Sequence, residues 1–343
     1  MSRKSFIHNT RRQHAQSLAI LAGLAAGALG LVAPTLQAAN LAADNASNYV
    51  PGGTLPYSFQ QVNGSGSGPV VNTSEPNEGY GFGPWTIIDN TAPGVAMHLS
   101  VSSNSSYGTV VQTTVGTTAS SPNTDSTFTV GGYGSNATQA SQVDIYRPFT
   151  GGTLIAGQKF SFAMGGYNGG SLNSVVSSGN YSNGYPEVGF SMETAAPVLS
   201  AGTAGGFGAP SINDASSAVQ AYINNLSPDG STEIVVTDAN GTTHITDAPT
   251  LPGGSVFSFT VGVGNTYTLA VTAPGGGSPL ATYTGTYTGD IVGANIFSQN
   301  GHDLYFNSLA ITSVPDPATM SLFAMAGIGG LLLIRRRKVV WRR

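Results

Sequence analysis

Short runs of alternating apolar and polar residues recur along most of this chain. Met97-His98-Leu99-Ser100-Val101, Thr109 to Thr113, Ser126 to Val130 and Gln142 to Phe149 are β-branched or aromatic segments, and Ser, Asn and Gly separate them. That combination is the signature of strands. Phe160, Phe162 and Met164 alternate with Lys159, Ser161 and Ala163, so one face of that strand is expected in a core. Glu187 to Glu193, Val256 to Val263, Tyr267 to Thr272, Ala281 to Thr288 and Leu304 to Ile311 repeat the period. Glu233 to Thr237 and Thr242 to Thr246 flank Asp238-Ala239-Asn240-Gly241, which predicts a hairpin whose turn takes positive φ from Asn-Gly. One stretch departs from period two. From Asp214, a plausible N-cap, Val219, Tyr222, Ile223 and Leu226 fall at helical spacing, and Pro228-Asp229-Gly230 closes them, so a helix is expected over 214–226.

Many short strands, one helix and turn-rich connections predict an all-β, two-layer antiparallel β-sandwich over 80–313. Trp85, Phe160, Phe162, Phe190, Phe257, Phe259, Leu304, Phe306 and Leu309 are its expected core. Residues 40–79 are rich in Gly, Ser, Asn and Pro and read as a loose start or a first edge strand. Glycine around aromatics marks Asn77 to Trp85. Trp85 is expected in the core, with stacking on a carbohydrate as the competing reading.

Two long apolar runs lie outside this region. Arg3, Lys4, Arg11 and Arg12 precede the run Leu18 to Val32, Pro34 breaks it, and small residues follow at Ala38 and Ala39. Residues 1–39 therefore read as a signal peptide, cleaved by signal peptidase after Ala38 or Ala39. At the other end, residues 314–343 hold Pro315, Asp316 and Pro317, an uncharged run over 318–334, and the basic cluster Arg335, Arg336, Arg337 and Lys338 within the tail 335–343. As a helix the run would span roughly 25 Å at about 1.5 Å per residue, enough for a single transmembrane helix. The cluster would stop transfer and stay inside.

This tail resembles the PEP-CTERM sorting signal, with Asp316 where Glu is commoner. The resemblance implies recognition by an exosortase-type membrane protease, a transient membrane anchor, and a final place at the cell surface or in an exopolysaccharide-rich matrix or biofilm. From Arg147 onward the chain is also similar to concanavalin-like or laminin-G-like jelly rolls. Arg147-Pro148-Phe149 leading to Ala156 to Phe162, Thr266 to Val271, and Asp303 to Ile311 carry that likeness.

Charge sharpens the picture. Between Asn40 and Val314 lie 15 acids but only two bases, Arg147 and Lys159, a formal charge of −13. Such a surface repels phosphate backbones, so no nucleic-acid partner is expected. The chain has no cysteine, which excludes disulfides, thiol nucleophiles and thiolate metal sites.

Catalytic signals are sparse. Glu187 and Glu193 share a strand face roughly 20 Å apart at ~3.3 Å per residue, too far for the carboxylate pair of a retaining glycosidase at about 5 to 5.5 Å. Glu75 and Glu78 sit in a loop. His98, His244 and His302 have no metal-motif spacing, and no Gly-x-Ser-x-Gly elbow occurs. No cofactor is expected, although Asp229, Asp238, Asp247, Asp290 and Asp303 lie in or beside turns where oxygen ligands for a structural Ca²⁺ are an open option. The reading is a non-enzymatic exported surface protein. A polysaccharide-binding module is the alternative, and a glycoside hydrolase the third. An exposed row of Tyr or Trp would favour binding, and the same rings buried would favour a structural role.

Overall fold

The structure is a computed structural model, and it describes residues 39–46, 57–58, 62–63, 70–72, 79–89, 96–103, 126–133, 142–165, 172, 187–197, 216–224, 233–245, 251–299 and 304–313. The expected signal peptide before Ala39, and the motif, apolar run and basic cluster from Pro315 on, lie outside these residues. So does the expected strand at 109–113. Among the described residues no helix is long and apolar enough to cross a membrane.

The described residues form two antiparallel sheets. The strands in chain order are β1 (Asn40–Asp44), β2 (Tyr57–Ser58), β3 (Val62–Asn63), β4 (Val70–Asn72), β5 (Thr86–Asp89), β6 (Ala96–Ser103), β7 (Ser126–Tyr133), β8 (Gln142–Pro148) and β9 (Gln158–Gly165). They continue with β10 (Glu187–Glu193), β11 (Ser217–Asn224), β12 (Glu233–Asp238), β13 (Gly241–Ile245), β14 (Ser255–Val261), β15 (Thr266–Thr272), β16 (Pro279–Thr286), β17 (Gly293–Gln299) and β18 (Leu304–Ser313). The first sheet runs β16-β15-β14-β9-β18-β7-β6-β2, with β1 also on β18 and β3 on β6. The second runs β13-β12-β11-β10-β17-β8-β5-β4.

Alternation decides which side chains meet between the sheets. Phe160 and Phe162 from β9 and Phe257 and Phe259 from β14 face inward against Val188, Phe190 and Met192 of β10. Phe162 stands edge-on to Phe190 at 5.1 Å between ring centres and stacks on Phe257 at 5.8 Å. All nine expected core residues are buried, Trp85 among them. The two-layer antiparallel sandwich predicted from the period-two patterning is thus the fold that forms.

The expected helix does not form. Ser217–Asn224 is strand β11, paired with β10 along one side and β12 along the other. Val219, Ala221 and Ile223 point into the core, and Gln220 and Tyr222 lie on the opposite face. Val219, Ala221 and Ile223 satisfy a period of two, while Val219, Tyr222, Ile223 and Leu226 satisfy one of 3.6. Two flanking strands with open hydrogen-bonding edges settle the choice. Gly189 on β10 opposes Tyr222, and a Cβ there would meet the Ala221 carbonyl oxygen at 2.2 Å, so only glycine allows this close pairing. The predicted β12–β13 hairpin forms, but positive φ falls on Gly241 (φ 107) and not on Asn240. The Asp238 carboxylate accepts the Asn240 amide at 2.7 Å and sets that corner.

Strand β18 changes partner halfway. Leu304 to Phe306 pair with β7, and Leu309 to Thr312 pair with β1, while β9 runs along the other edge. The switch is a bulge at Ser308, a non-glycine residue at φ 57. The Asn307 side-chain oxygen holds it by accepting the Ser308 amide at 2.9 Å and the Ala46 amide at 3.0 Å. Residues 40–44, read as a loose start or edge strand, therefore complete the sheet beside its last strand.

Candidate functional site

Among the described residues polar chemistry concentrates at three places, one on the second sheet and two where both sheets contribute. The first lies inside the sandwich. Arg147 of β8 points into the core, where its guanidinium donates to Asp44 of β1 at 2.5 Å and to the Gly83 carbonyl. It lies over the Trp85 ring at 4.4 Å and the Phe82 ring at 5.6 Å. Asp44 and Arg147 are both buried, so the pair joins the two sheets through the core and neutralises one of the domain's two bases. Breaking such a pair from one side leaves an uncompensated charge.

The second lies on the outer face of β8, β17, β10 and β11. The Asn295 side-chain amide donates to Asp144 at 2.9 Å. Glu193 is fully buried and accepts three serine hydroxyls, from Ser191, from Ser216 at 3.0 Å and from Ser217 at 2.8 Å. Tyr146 lies on the same face. Burial, and secondarily the Glu193 charge, push its hydroxyl up to about 12 from the ordinary 10. Asp144 and Glu193 sit two strands and four residues apart in register, roughly 16 Å at ~4.8 Å per strand and ~3.3 Å per residue. That is far beyond the 5 to 5.5 Å of a retaining pair or the ~6.5 to 9.5 Å of an inverting one. Glu187 and Glu193 begin and end β10 and do not meet.

The third is the seam where the hairpin of the second sheet meets the edge of the first. Asp238 accepts the Tyr267 hydroxyl at 2.9 Å and the Tyr283 hydroxyl at 3.3 Å. Asn240 accepts the Thr286 hydroxyl at 3.1 Å, and the Ala239 amide donates to the Thr286 carbonyl at 3.2 Å. Burial, reinforced by the bond to Asp238, raises the pKa of Tyr267 well above the usual tyrosine range. Burial, and secondarily Asp290, also raise that of Tyr287.

The residues singled out in the sequence fall as follows. Ala39 is described. It donates its amide to the Ser313 hydroxyl at 3.1 Å, and its carbonyl accepts the Ser313 amide at 3.0 Å, so the chain just after the expected cleavage site lies beside the chain just before the expected sorting motif. Ala38, Pro315, Asp316, Pro317, Arg335, Arg336, Arg337 and Lys338 lie outside the described residues. So do Glu75, Glu78, Asp229 and His302, whereas His98 lies in β6 and His244 in β13. Among the described residues no three of His, Cys, Asp and Glu group as metal ligands, and the carboxylate of Asp238, one of the turn aspartates, is taken by tyrosines. The rings of Trp85, Tyr146, Tyr222, Tyr267, Tyr287 and Tyr305 are buried, while Tyr80 is 55% exposed.

The class these observations define is an all-β sandwich of two antiparallel sheets with a cross-sheet buried ion pair. No family model matches the chain, and no curated protein matches its sequence. Among solved structures it is similar to a legume lectin-like domain from Entamoeba histolytica, at 10% identity and a TM-score of 0.34, over 51% of this chain and 84% of that one. It is also similar to the ligand-binding domain of botulinum neurotoxin serotype D in complex with N-acetylneuraminic acid, at 10% identity and a TM-score of 0.29, over 55% of this chain and 42% of that one. Likenesses at this level carry no argument about the ligand or activity of this chain.

Proposed function

We propose that this chain is an exported, non-enzymatic protein of the cell surface or extracellular matrix, with an exopolysaccharide or biofilm setting, held and then released through its C-terminal sorting signal. One structural observation carries the non-enzymatic part. Asp44, Asp144, Glu193 and Asp238 all serve as acceptors inside the fold, so these carboxylates hold the sandwich together instead of facing a substrate. The buried rings of Trp85, Tyr146, Tyr222, Tyr267, Tyr287 and Tyr305, among the described residues, support the same reading of a structural body.

Export rests on the sequence. The basic and apolar N-terminus, the Pro315-Asp316-Pro317 motif, the apolar run and the Arg335 to Lys338 cluster form the sorting pattern, and an acidic, cysteine-free domain suits the exterior. Gly327, Gly329 and Gly330 each weaken the tail helix by about 1 kcal/mol relative to Ala, which fits a transient anchor. Signal peptidase and an exosortase are then the processing partners. Intact-mass analysis of surface-extracted protein tests this. The expected product begins at Ala39 or Asn40 and ends near Pro315 to Ala318. Protein that retains Met320 to Arg343 in most molecules, or normal processing after replacing Pro315, Asp316 and Pro317 together by Ala, would contradict it.

A further inference from the structure

The acids of this domain are distributed unevenly. The five adjacent strands β18, β9, β14, β15 and β16 contain no Asp or Glu, in a domain of formal charge −13. They do contain Lys159. Arg147 is buried against Asp44, so Lys159 is the one base of the span 40–314 left outside the core.

Register places Lys159 in a row of hydroxyls. Phe160 and Phe162 face the core, so Lys159 and Ser161 face outward. Lys159 pairs with Thr312 on one side and Thr260 on the other, and the row continues through Thr268 to Thr284. Thr260 and Thr268 are half-buried and Thr284 is exposed. At the margin of this face the Ser161 and Thr312 hydroxyls, 0% and 6% exposed as residues, have no hydrogen-bond partner. Both hydroxyls are covered by the protein, so the part of the row open to a ligand is Lys159, Thr260, Thr268 and Thr284.

From β9 to β16 the accessible surface is about 14 Å wide at ~4.8 Å per strand, and on β16 the outward hydroxyls of Thr282, Thr284 and Thr286 repeat about every 6.6 Å. It offers hydrogen bonds and one positive charge. The large hydrophobics exposed among the described residues, Leu41, Tyr80, Ile155 and Val263, all lie outside this row. A protein interface would bring aromatic, Met or Arg side chains to its centre, and a polynucleotide would need many cations. A polyol with occasional carboxylates matches what is present.

We infer that the outer face centred on Lys159 is a contact surface for an acidic polysaccharide of the uronate type, Lys159 pairing with a carboxylate and the threonine row hydrogen-bonding the sugar hydroxyls. This deepens the matrix role proposed above and rests on it. The test is affinity electrophoresis of the full chain in detergent through gels holding polygalacturonate or, separately, the neutral glucan dextran. Polygalacturonate is expected to retard the protein, less so as salt rises, and dextran not to. Lys159→Glu should weaken retardation about ten-fold, equivalent to ~1.4 kcal/mol, while Lys159→Arg keeps it. Thr268→Val with Thr284→Val should weaken it several-fold at unchanged circular dichroism. No retardation, equal retardation by dextran, or an unaffected Lys159→Glu variant would overturn the inference. Absent retardation with a correctly trimmed tail in the host defeats this face and leaves the sorting reading standing. Retardation with an untrimmed tail does the reverse.

Discussion

The two sheets share one core and divide the charge between them. Strands of the second sheet carry Asp89, Asp144, Glu187, Glu193, Glu233 and Asp238, and their base, Arg147, is turned inward. Strands of the first sheet carry Asp44, which Arg147 neutralises, and Lys159. The outer face of one sheet therefore buries acids under serine, asparagine and tyrosine partners, and that of the other presents threonine around a single lysine. Apart from the Arg147–Asp44 pair, inward-facing positions are apolar on both sheets because both share the same interior. The difference in charge lies mostly in outward-facing positions, some of which are buried in small clusters of their own, such as Ala163, Val256 and Tyr305 on the first sheet and Tyr222, Val235 and Phe297 on the second.

The cross-sheet ion pair gives the largest way to break the comparison. Arg147→Met leaves Asp44 buried and unneutralised, and should cost about 3 to 5 kcal/mol in urea unfolding. The double change with Asp44→Leu should recover most of that loss. If the single change is mild, the pair does not tie the sheets as described. Phe162→Ala on the first sheet and Phe190→Ala on the second should each cost roughly 3 to 5 kcal/mol, since both rings are buried against each other. A loss below about 1 kcal/mol at either position would mean that the sheets do not share one core.

Acids and lysine should then separate. Glu193→Gln keeps the shape but weakens three charge-assisted bonds, with an expected cost of about 1 to 3 kcal/mol. Lys159→Glu should change stability by no more than about 0.5 kcal/mol, because it removes no internal partner described for the fold.

Alkaline pH gives a graded test of the tyrosines. The Tyr146 hydroxyl is raised to about 12, and those of Tyr267 and Tyr287 are raised as well. The folded state holds these protons above pH 10, where an unfolded chain releases them. The stability they contribute is thus intact below about pH 10 and is lost as pH rises through the folded value. Tyrosinate absorbance and unfolding should rise together above pH 10. Ionisation of every tyrosine near pH 10 in the folded protein would contradict the burial.

Strand order was not readable from the chain, but strand existence was, because Phe160-Ser161-Phe162 and Val256 to Val261 alternate cleanly. Ser217–Asn224 misled because a short apolar run without strict alternation fits both periods, and only the open edges of β10 and β12 resolve it. The Asp44–Arg147 pair had no local signal across 103 residues of separation. Its one trace was the scarcity of bases, which left Arg147 conspicuous. The serine nest of Glu193 brings residues 191, 216 and 217 together only through β10–β11 register. The acid-free face likewise stayed hidden, since β18, β9, β14, β15 and β16 are scattered along the sequence and become neighbours only in the sheet.

The lysines allow the contact face to be read directly. Lys4, Lys159 and Lys338 are the three in the chain, and the expected signal peptide and tail hold the other two. Acetylation of Lys159 followed by peptide mass, with and without polygalacturonate, therefore reports on one position of the acid-free sheet. The account predicts acetylation slowed several-fold by polygalacturonate, unchanged by dextran, and restored at high salt. An acetylation rate at Lys159 indifferent to polygalacturonate would contradict it.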